Sequence, residues 1–375
     1  MKSKKAVPPA RLQQPKRVAI IGAGMAGITA ARTLAKAGYE VSIFEKSKGL
    51  GGRMSTRRSD FGTFDHGAQY FTVRDARFRK MIDWARATSP LIVCPWVTPH
   101  ASARPKPEQH WVAQPGMNAL VSHMAAPFLK KSRTQMPTGS QLHLQTRVQN
   151  IKLVSQSRGN AAQWQITAVN AKGKMSVYAD FDQLLLAIPS PQASELLAGS
   201  GLAAPWVTAL SSVVVAPSWT LMAAFPLAAV SASNEVLGRL KIAAPIGPDW
   251  SAAYSPHPRL AWVARESSKP GRGPIERWTA QANTAWSIEH LEDDEETVKA
   301  KLLKAFAEIT GIRAEPEHAQ VHRWRYAKTE TPLGKSFLWD AKKGLGLCGD
   351  WCLGHRVENA FVSGLELAMK VIKTG

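Results

Sequence analysis

One short loop constrains this chain more than any other feature: Gly22-Ala23-Gly24-Met25-Ala26-Gly27. The segment before it, Lys16 to Ile21, predicts a short buried strand. The segment that follows, Met25 to Gly38, predicts a helix stopped by Gly38. Tyr39 to Glu45 predicts a second strand, because Val41, Ile43 and Phe44 favour extended backbone. Strand, glycine loop, helix, strand and terminal acid is the order of a dinucleotide-binding unit. Gly22 permits the tight turn, Gly24 lets a pyrophosphate approach the backbone, and Gly27 lets the helix pack closely on the strand. Met25 and Ala26 open the helix, whose N-terminus offers free N–H groups and partial positive charge to phosphate. Glu45 is placed to accept hydrogen bonds from a ribose diol, and an acid there disfavours a 2′-phosphate. FAD or NAD is therefore expected in preference to NADP.

A second glycine-rich turn, Gly49-Leu50-Gly51-Gly52-Arg53-Met54, decides between those two. It resembles the GG motif of the flavin-dependent amine oxidase superfamily. There, glycines such as Gly52 run along the pyrophosphate, and an arginine in the place of Arg53 adds charge to it. Near the other end of the chain, Gly346-Leu347-Cys348-Gly349-Asp350 predicts an apolar strand ending in Gly-Asp. In FAD proteins of this topology such an aspartate binds the ribityl chain. The helix from about Val357 would then point its N-terminus at the pyrimidine edge of the isoalloxazine. The cofactor expected is FAD.

The 375 residues suffice for two domains, and 45% hydrophobic with 20% charged residues is a soluble globular balance. A formal net charge of +20 favours anionic partners: nucleic acid, an acidic membrane surface or a phosphate-bearing small molecule. Part of the excess is local. Lys2, Lys4, Lys5 and Arg11, interspersed with Pro8, Pro9 and Pro15, predict a disordered basic tail over 1–15. It has no apolar core of signal-peptide length, and the most apolar run, Trp219 to Val230, is short and broken by Pro226. Cys94, Cys348 and Cys352 are too few for a disulfide framework and lack metal or redox-pair spacing. A cytoplasmic location with no metal and no membrane partner is expected. Of thirteen tryptophans, most are expected in the core, and several could line a pocket for a flat ring.

Residues 47–75 are expected to be mostly extended loop, Phe78–Ala87 a helix, Trp111–Met117 a strand and turn, and Asn118–Leu129 a helix. Leu142–Val154, Trp164–Val169 and Lys174–Val177 alternate like a small antiparallel sheet. Further strands are expected at Thr220–Phe225 and Arg259–Ala264, with helices near 276–288 and 296–310. A last strand, Leu345–Cys348, and a last helix, Val357–Ile372, complete the pattern. The fold class expected is α/β: a two-domain FAD-binding Rossmann-type fold, with a parallel sheet plus a small antiparallel sheet. Residues 16–75, 139–190 and 340–375 are assigned to the FAD-binding domain. Residues 76–138 and 191–339 are assigned to a mixed sheet-and-helix substrate domain.

With these residues in view, the chain from Lys16 onward resembles the renalase group of flavoproteins, especially its bacterial members. The resemblance rests on Gly51-Gly52-Arg53-Met54-Ser55, on the run from Asp65 to Asp75, and on Gln114-Pro115-Gly116-Met117 and Pro217-Ser218-Trp219. It continues through Ala264 to Arg272, Gly349 to Leu353, Arg356-Val357-Glu358 and Ser363-Gly364. It implies an oxidase of dihydropyridine isomers of NAD(P)H that carry the hydride at ring position 2 or 6. NAD(P)+ is returned, and O2 reoxidises the flavin to give H2O2. A dihydropyridine is already a hydride donor, so no catalytic acid or base is assigned; the protein must hold and select the ring. The resemblance implies FAD contacts at Ala26, Glu45, Lys46, Arg53, Gln69, Tyr70, Val148, Asp350 and Val357. It implies substrate contacts at Phe71, Thr72, Arg74, Asp75, Trp111, Val112, Ser218 and Arg356. Phe71 and Trp111 would be aromatic walls, and Arg74 and Arg356 would meet phosphate. His355 and Asn359 depart from what the group shows at those positions.

Two alternatives stay open. One is an FAD amine oxidase or desaturase acting on another small molecule, with Lys269 or Lys328 near the flavin. The other is a non-catalytic binder of an anionic partner, although no nucleic-acid motif is present.

Overall fold

The computed structural model describes residues 15–97, 108–129, 139–154, 162–202, 205–225 and 247–374. All but the last residue of the expected basic tail lies outside them, as does the end of the Trp219–Val230 run.

The first strand, Arg17–Ile21, runs parallel between Glu40–Phe44 and Gln183–Leu186. Gln141–His143 extends this sheet on one side. Leu345–Leu347 extends it on the other, and Leu338–Asp340 closes that edge antiparallel. Val18, Ile20, Val41, Ile43, Leu184 and Leu185 are fully buried, as strands covered on both faces must be. The helices Met25–Lys36 and Val357–Thr374 cover one face together. They approach closely at Gly364, where a Cβ would collide with the carbonyl of Ala26. Phe78 and Ile82 from the helix Ala76–Thr88, with Leu120 and Val121 from Asn118–Ala125, join the same core. On the opposite face, the three-stranded antiparallel sheet Thr146–Val154, Gln163–Asn170 and Met175–Phe181 packs Ile151 and Trp164 against Ile21, Phe44 and Leu186.

A separate five-stranded sheet has the order Ala252–Tyr254, Leu260–Arg265, Arg277–Ala282, Val214–Ala224 and His318–Thr331. The helix Glu295–Thr310 covers it, laying Val298, Leu302 and Phe306 on Trp219 and Trp278. Asp294 caps that helix by accepting from the Thr297 N–H at 2.9 Å, and Gly311, with φ 75°, ends it.

The structure departs from the expected elements in three places. The helix expected near 276–288 is a strand, Arg277–Ala282, followed by a short helix, Thr284–Glu289. Pairing with a neighbouring strand on each side overrides the local pattern, and Asn283 caps the helix only where the strand ends. Residues 47–75 hold a 3-10 turn, Gly52–Met54, and a hairpin, Arg57–Ser59 with Gly62–Phe64. The expected strand beginning at Leu142 is two strands; Gln141–His143 belongs to the parallel sheet and only Thr146–Val154 to the antiparallel one. Cys348 and Cys352 are buried thiols. Burial pushes Cys348 well up and Cys352 to about 12, so neither is reactive near neutral pH. Among the described residues no helix is long and apolar enough to cross a membrane.

Candidate active site

A cleft of about 2420 Å³ opens where the parallel strands end, with Ile21, Phe44, Glu45 and Ala187 on its wall. At this end Gly22 has φ +104°, and a Cβ on it would collide with Ala187 O; a Cβ on Gly27 would collide with Gly22 O. Gly24 is different: the nearest atom to a Cβ there is Gly51 O at 3.9 Å, so the backbone stays open to a ligand. The two glycine turns are joined by the Gly51 N–H donating to Ala23 O at 3.1 Å, which makes them one cradle. No side chain caps the helix Met25–Lys36, so its first N–H groups remain for a phosphate. Glu45, nearly buried, accepts from the Ala23 N–H at 2.9 Å and the Ser47 N–H at 2.8 Å. Those bonds fix the carboxylate on the cleft wall with lone pairs still to offer a ribose. The cradle, the open helix end and the fixed acid together fit the pyrophosphate and ribose of FAD.

Further along the cleft, Arg53 and Asp350, residues far apart in sequence, hold each other through both arms of the guanidinium, one bond being 2.8 Å. Thr329 Oγ1 also donates to Asp350 at 3.3 Å. The segment His66–Gln69 is pinned from two sides. The Ala68 N–H donates to Arg53 O at 2.8 Å, while Trp324 Nε1 donates to His66 O at 2.8 Å and Gln281 Nε2 to Gly67 O at 2.6 Å. A Cβ on Gly67 would collide with Arg53 O, so only glycine fits.

Aromatic rings line the far part. Tyr70 stacks on His110 with centroids 3.7 Å apart, its hydroxyl lies 2.8 Å from that of Tyr254, and Tyr254 meets Trp262 edge-on at 4.6 Å. Arg74, Glu108 and Arg356 stand nearby on the wall, with Arg74 bound to Glu108 through a two-bond ion pair. His66 and His322 are also on the wall, 4.8 Å apart and edge to face. Burial, with His322 and Arg57 adding to it, lowers His66 to about 3; burial and then Arg57 lower His322 to about 4. Both are neutral imidazoles at pH 7.

Beneath Gln69 lies a fully buried ion cluster. Lys269 Nζ is 3.1 Å from Asp65 Oδ2, 2.9 Å from Glu266 Oε1 and 3.2 Å from Gln69 Oε1, and Arg272 binds Asp65 at 2.6 Å. Burial alone would push the Asp65 carboxyl up, but Lys269 and Arg272 outweigh it and hold it below the usual range.

Of the residues expected to bind cofactor, Gly22, Gly24, Met25, Ala26, Glu45, Lys46, Gly52, Arg53, Gln69, Tyr70, Val148, Asp350 and Val357 line the cleft, whereas Gly27 packs beneath it. Of those expected to meet substrate, Phe71, Thr72, Arg74, Ser218 and Arg356 line it. Asp75, Trp111 and Val112 do not. Asp75 caps the helix Ala76–Thr88 and binds Arg77, Val112 is buried, and the Trp111 ring lies under Arg86. Lys269 is sealed in its ion cluster, while Lys328 reaches the cleft paired with Glu330 at 3.1 Å. His355 lines the cleft as well. The sequence reading did not single out Arg57, Tyr254, Trp262, Gln281, His322 or Trp324, all of which are on the wall. At Gln281 the signal was a polar residue within a buried strand, which the expected helix concealed; the others come to the wall through sheet pairing that leaves no local mark. Among the described residues no group of three or more His, Cys, Asp or Glu could hold a metal ion.

Residues 20–84 match an NAD(P)-binding Rossmann-like domain, and residues 97–372, most of the chain, match the flavin containing amine oxidoreductase family. An L-amino acid oxidase of Cerastes cerastes is 59% identical over 46 residues, 12% of this chain and 9% of that protein. A 4,4′-diapophytoene desaturase of Staphylococcus aureus is 49% identical over 51 residues, 14% of this chain and 10% of that one. The matched stretch thus spans about a tenth of the length of these relatives. Over whole chains, a structure from Exiguobacterium sp. 255-15 named as a protoporphyrinogen oxidase superposes with a TM-score of 0.69 at 14% identity. It covers 96% of this chain and 99% of that one. A putrescine oxidase bound to putrescine gives 0.63 at 13% identity, covering 96% and 99%. At such identities the likeness is one of fold. The family match and the cradle agree: this chain belongs to the flavin-containing amine oxidoreductase family, with FAD as its cofactor.

Proposed function

We propose that the chain oxidises 2- and 6-dihydro isomers of NAD(P), returning NAD(P)+ and, from O2, H2O2. One observation carries the reading. Beside the FAD cradle, one cleft wall carries the clustered rings of Tyr70, Tyr254 and Trp262 together with the guanidinium groups of Arg356 and of Arg74, the latter held by Glu108. That pairing suits a planar ring joined to phosphates, and the net charge of +20 would draw such an anion in.

FAD, when bound, supplies the acceptor for the hydride and hands the electron pair on to O2. The chain's own work is to bind, orient and exclude. Gly22, Gly24 and Gly52, with the N–H groups of Met25 and Ala26, would hold the pyrophosphate. Glu45 would hold the ribose, with Lys46 and Val148 beside it. Arg53 and Asp350, now paired, would share polar groups of the cofactor, and Gln69, Tyr70 and Val357 would border its ring. Phe71, Thr72 and Ser218 would border the substrate. The hydride step needs no acid or base from the chain, because oxidation makes the pyridine ring aromatic; the one proton that completes H2O2 comes from water.

A second reading, an FAD amine oxidase or desaturase, is favoured by Lys328 on the cleft wall. The basic wall, however, repels a cationic amine. The experiment is anaerobic mixing of the yellow holoenzyme with 2-dihydro-, 6-dihydro- or ordinary 4-dihydro-NAD, and with amines. Rapid bleaching by the first two, and slow bleaching by the rest, is expected. No bleaching by any dihydropyridine sinks the reading, and rapid bleaching by a primary or secondary amine establishes the rival.

A further inference from the structure

We propose that Gln281 selects substrates whose flat ring carries a primary carboxamide; the inference rests on the dihydropyridine reading and names the group recognised. Gln281 is the one partly exposed residue of the strand Arg277–Ala282, all of whose other members are buried. It stands on the cleft wall. A glutamine in such a strand calls for an account of both ends of its amide.

One end is fixed. The carbonyl of Gly67 can only accept, so the atom 2.6 Å from it must be the side-chain nitrogen. This settles which end is nitrogen and which is oxygen, an assignment that heavy-atom positions alone would leave open. The anchor does not give way either, since Gly67 is wedged against Arg53 O and the ring of Trp324. The other end, Oε1, accepts no hydrogen bond from any described residue and is not sealed from solvent. It is a held acceptor in a cleft.

The cross-strand neighbour gives that acceptor its meaning. Trp262 pairs directly with Gln281 on the adjacent strand, so both side chains rise from one face of the sheet, and both line the cleft. The Trp262 ring belongs to the aromatic wall, 5.7 Å from Tyr70 and 4.6 Å from Tyr254. The two backbones are one strand spacing apart, about 5 Å, so a ring of the aromatic wall and a fixed acceptor are neighbours on one face of the sheet. A six-membered ring lying on the first can bring an N–H of its carboxamide to the second. A ketone or ester at the same place has no N–H and leaves the acceptor unmet, and a carboxylate sets oxygen against oxygen.

The test titrates FAD-loaded protein with nicotinamide mononucleotide or its 3-acetylpyridine counterpart, which keeps the ring and carbonyl but replaces NH2 by methyl. Binding is read from the visible spectrum of the oxidised flavin. Wild type is expected to favour the carboxamide by about tenfold, and Gln281→Leu and Gln281→Met to reduce this to about twofold or less. Two variants are used so that one retaining normal flavin content and Tm is in hand. A preference that persists in both variants, or that wild type never had, overturns the role of Gln281 even if dihydropyridines bleach the enzyme. If wild type binds neither mononucleotide and no dihydropyridine bleaches it, the underlying reading fails and the inference fails with it.

Discussion

Lys269 has its ammonium wholly out of water, held by Asp65, Glu266 and the Gln69 amide. Removing the cation alone would take from Glu266 its ion-pair partner and leave Asp65 to Arg272, in a dry interior. Lys269→Met is therefore expected to destabilise the protein by about 3–5 kcal/mol, measured by denaturant unfolding. A change below about 1 kcal/mol would mean that water reaches the cluster. The histidines make a separate prediction. In the fold His66 and His322 resist protonation down to about 3 and about 4, whereas the unfolded chain takes up those protons near 6.5. Across that interval the unfolded state binds more protons, so stability is complete above about pH 6.5 and is lost as pH falls. The slope is at most about 1.4 kcal/mol per pH unit for His66, and smaller for His322, which is more open to water. The Tm should fall between pH 7 and 4.5 and fall less steeply in His66→Asn; equal slopes in the two proteins would exclude His66 as a source. At this scale the glycines were legible from the sequence because part of their need is local: Gly22 takes a left-handed φ in the tight turn, and Gly27 answers to Gly22 O, although the Ala187 backbone that also crowds Gly22 lies far along the chain. The ion cluster was not, since Asp65 and Lys269 lie 204 residues apart and charge pairing leaves no periodicity to read.

The first strand, helix and second strand could be read to within a residue or two, because a parallel strand buried on both faces is nearly all apolar. Arg277–Ala282 could not. Its alternation is blurred by burial on both sides, and only its neighbours in the sheet make it a strand. That error concealed Gln281 and, across from it, the part played by Trp262. The helix Val357–Thr374 depends on a point the sequence did reveal, Ser363-Gly364, although the reason emerges only in the packing: a Cβ at Gly364 meets Ala26 at the start of the first helix. Gly364→Val is expected to push the two helices apart where the cradle begins. The flavin-to-protein ratio after gel filtration should drop at least severalfold, with a lower Tm; unchanged flavin retention would show that the cradle does not depend on this contact.

Across the molecule, the charge of +20 makes a kinetic statement under the proposed function. Screening weakens attraction over distances beyond about 10 Å at 0.1 M salt. The kcat/KM for a dihydro-NAD isomer is therefore expected to fall severalfold between about 20 and 200 mM NaCl, with kcat nearly constant. A salt-independent kcat/KM would show that the charge does not guide the substrate.

The buried ion cluster has one more consequence. Asp65 belongs to the segment that follows the Gly62–Phe64 strand, while Glu266, Lys269 and Arg272 follow the Leu260–Arg265 strand. Parting these segments would strip several charges of their partners at once, so the cleft cannot breathe like a hinge at small expense. Hydrogen exchange should reveal this as shared timing. The amide of Asp65, which donates to Glu266, and that of Arg265, which donates to Ser251, are expected to exchange only when the whole molecule unfolds. Under the proposed function, substrate is then expected to enter without a hinge opening at this cluster.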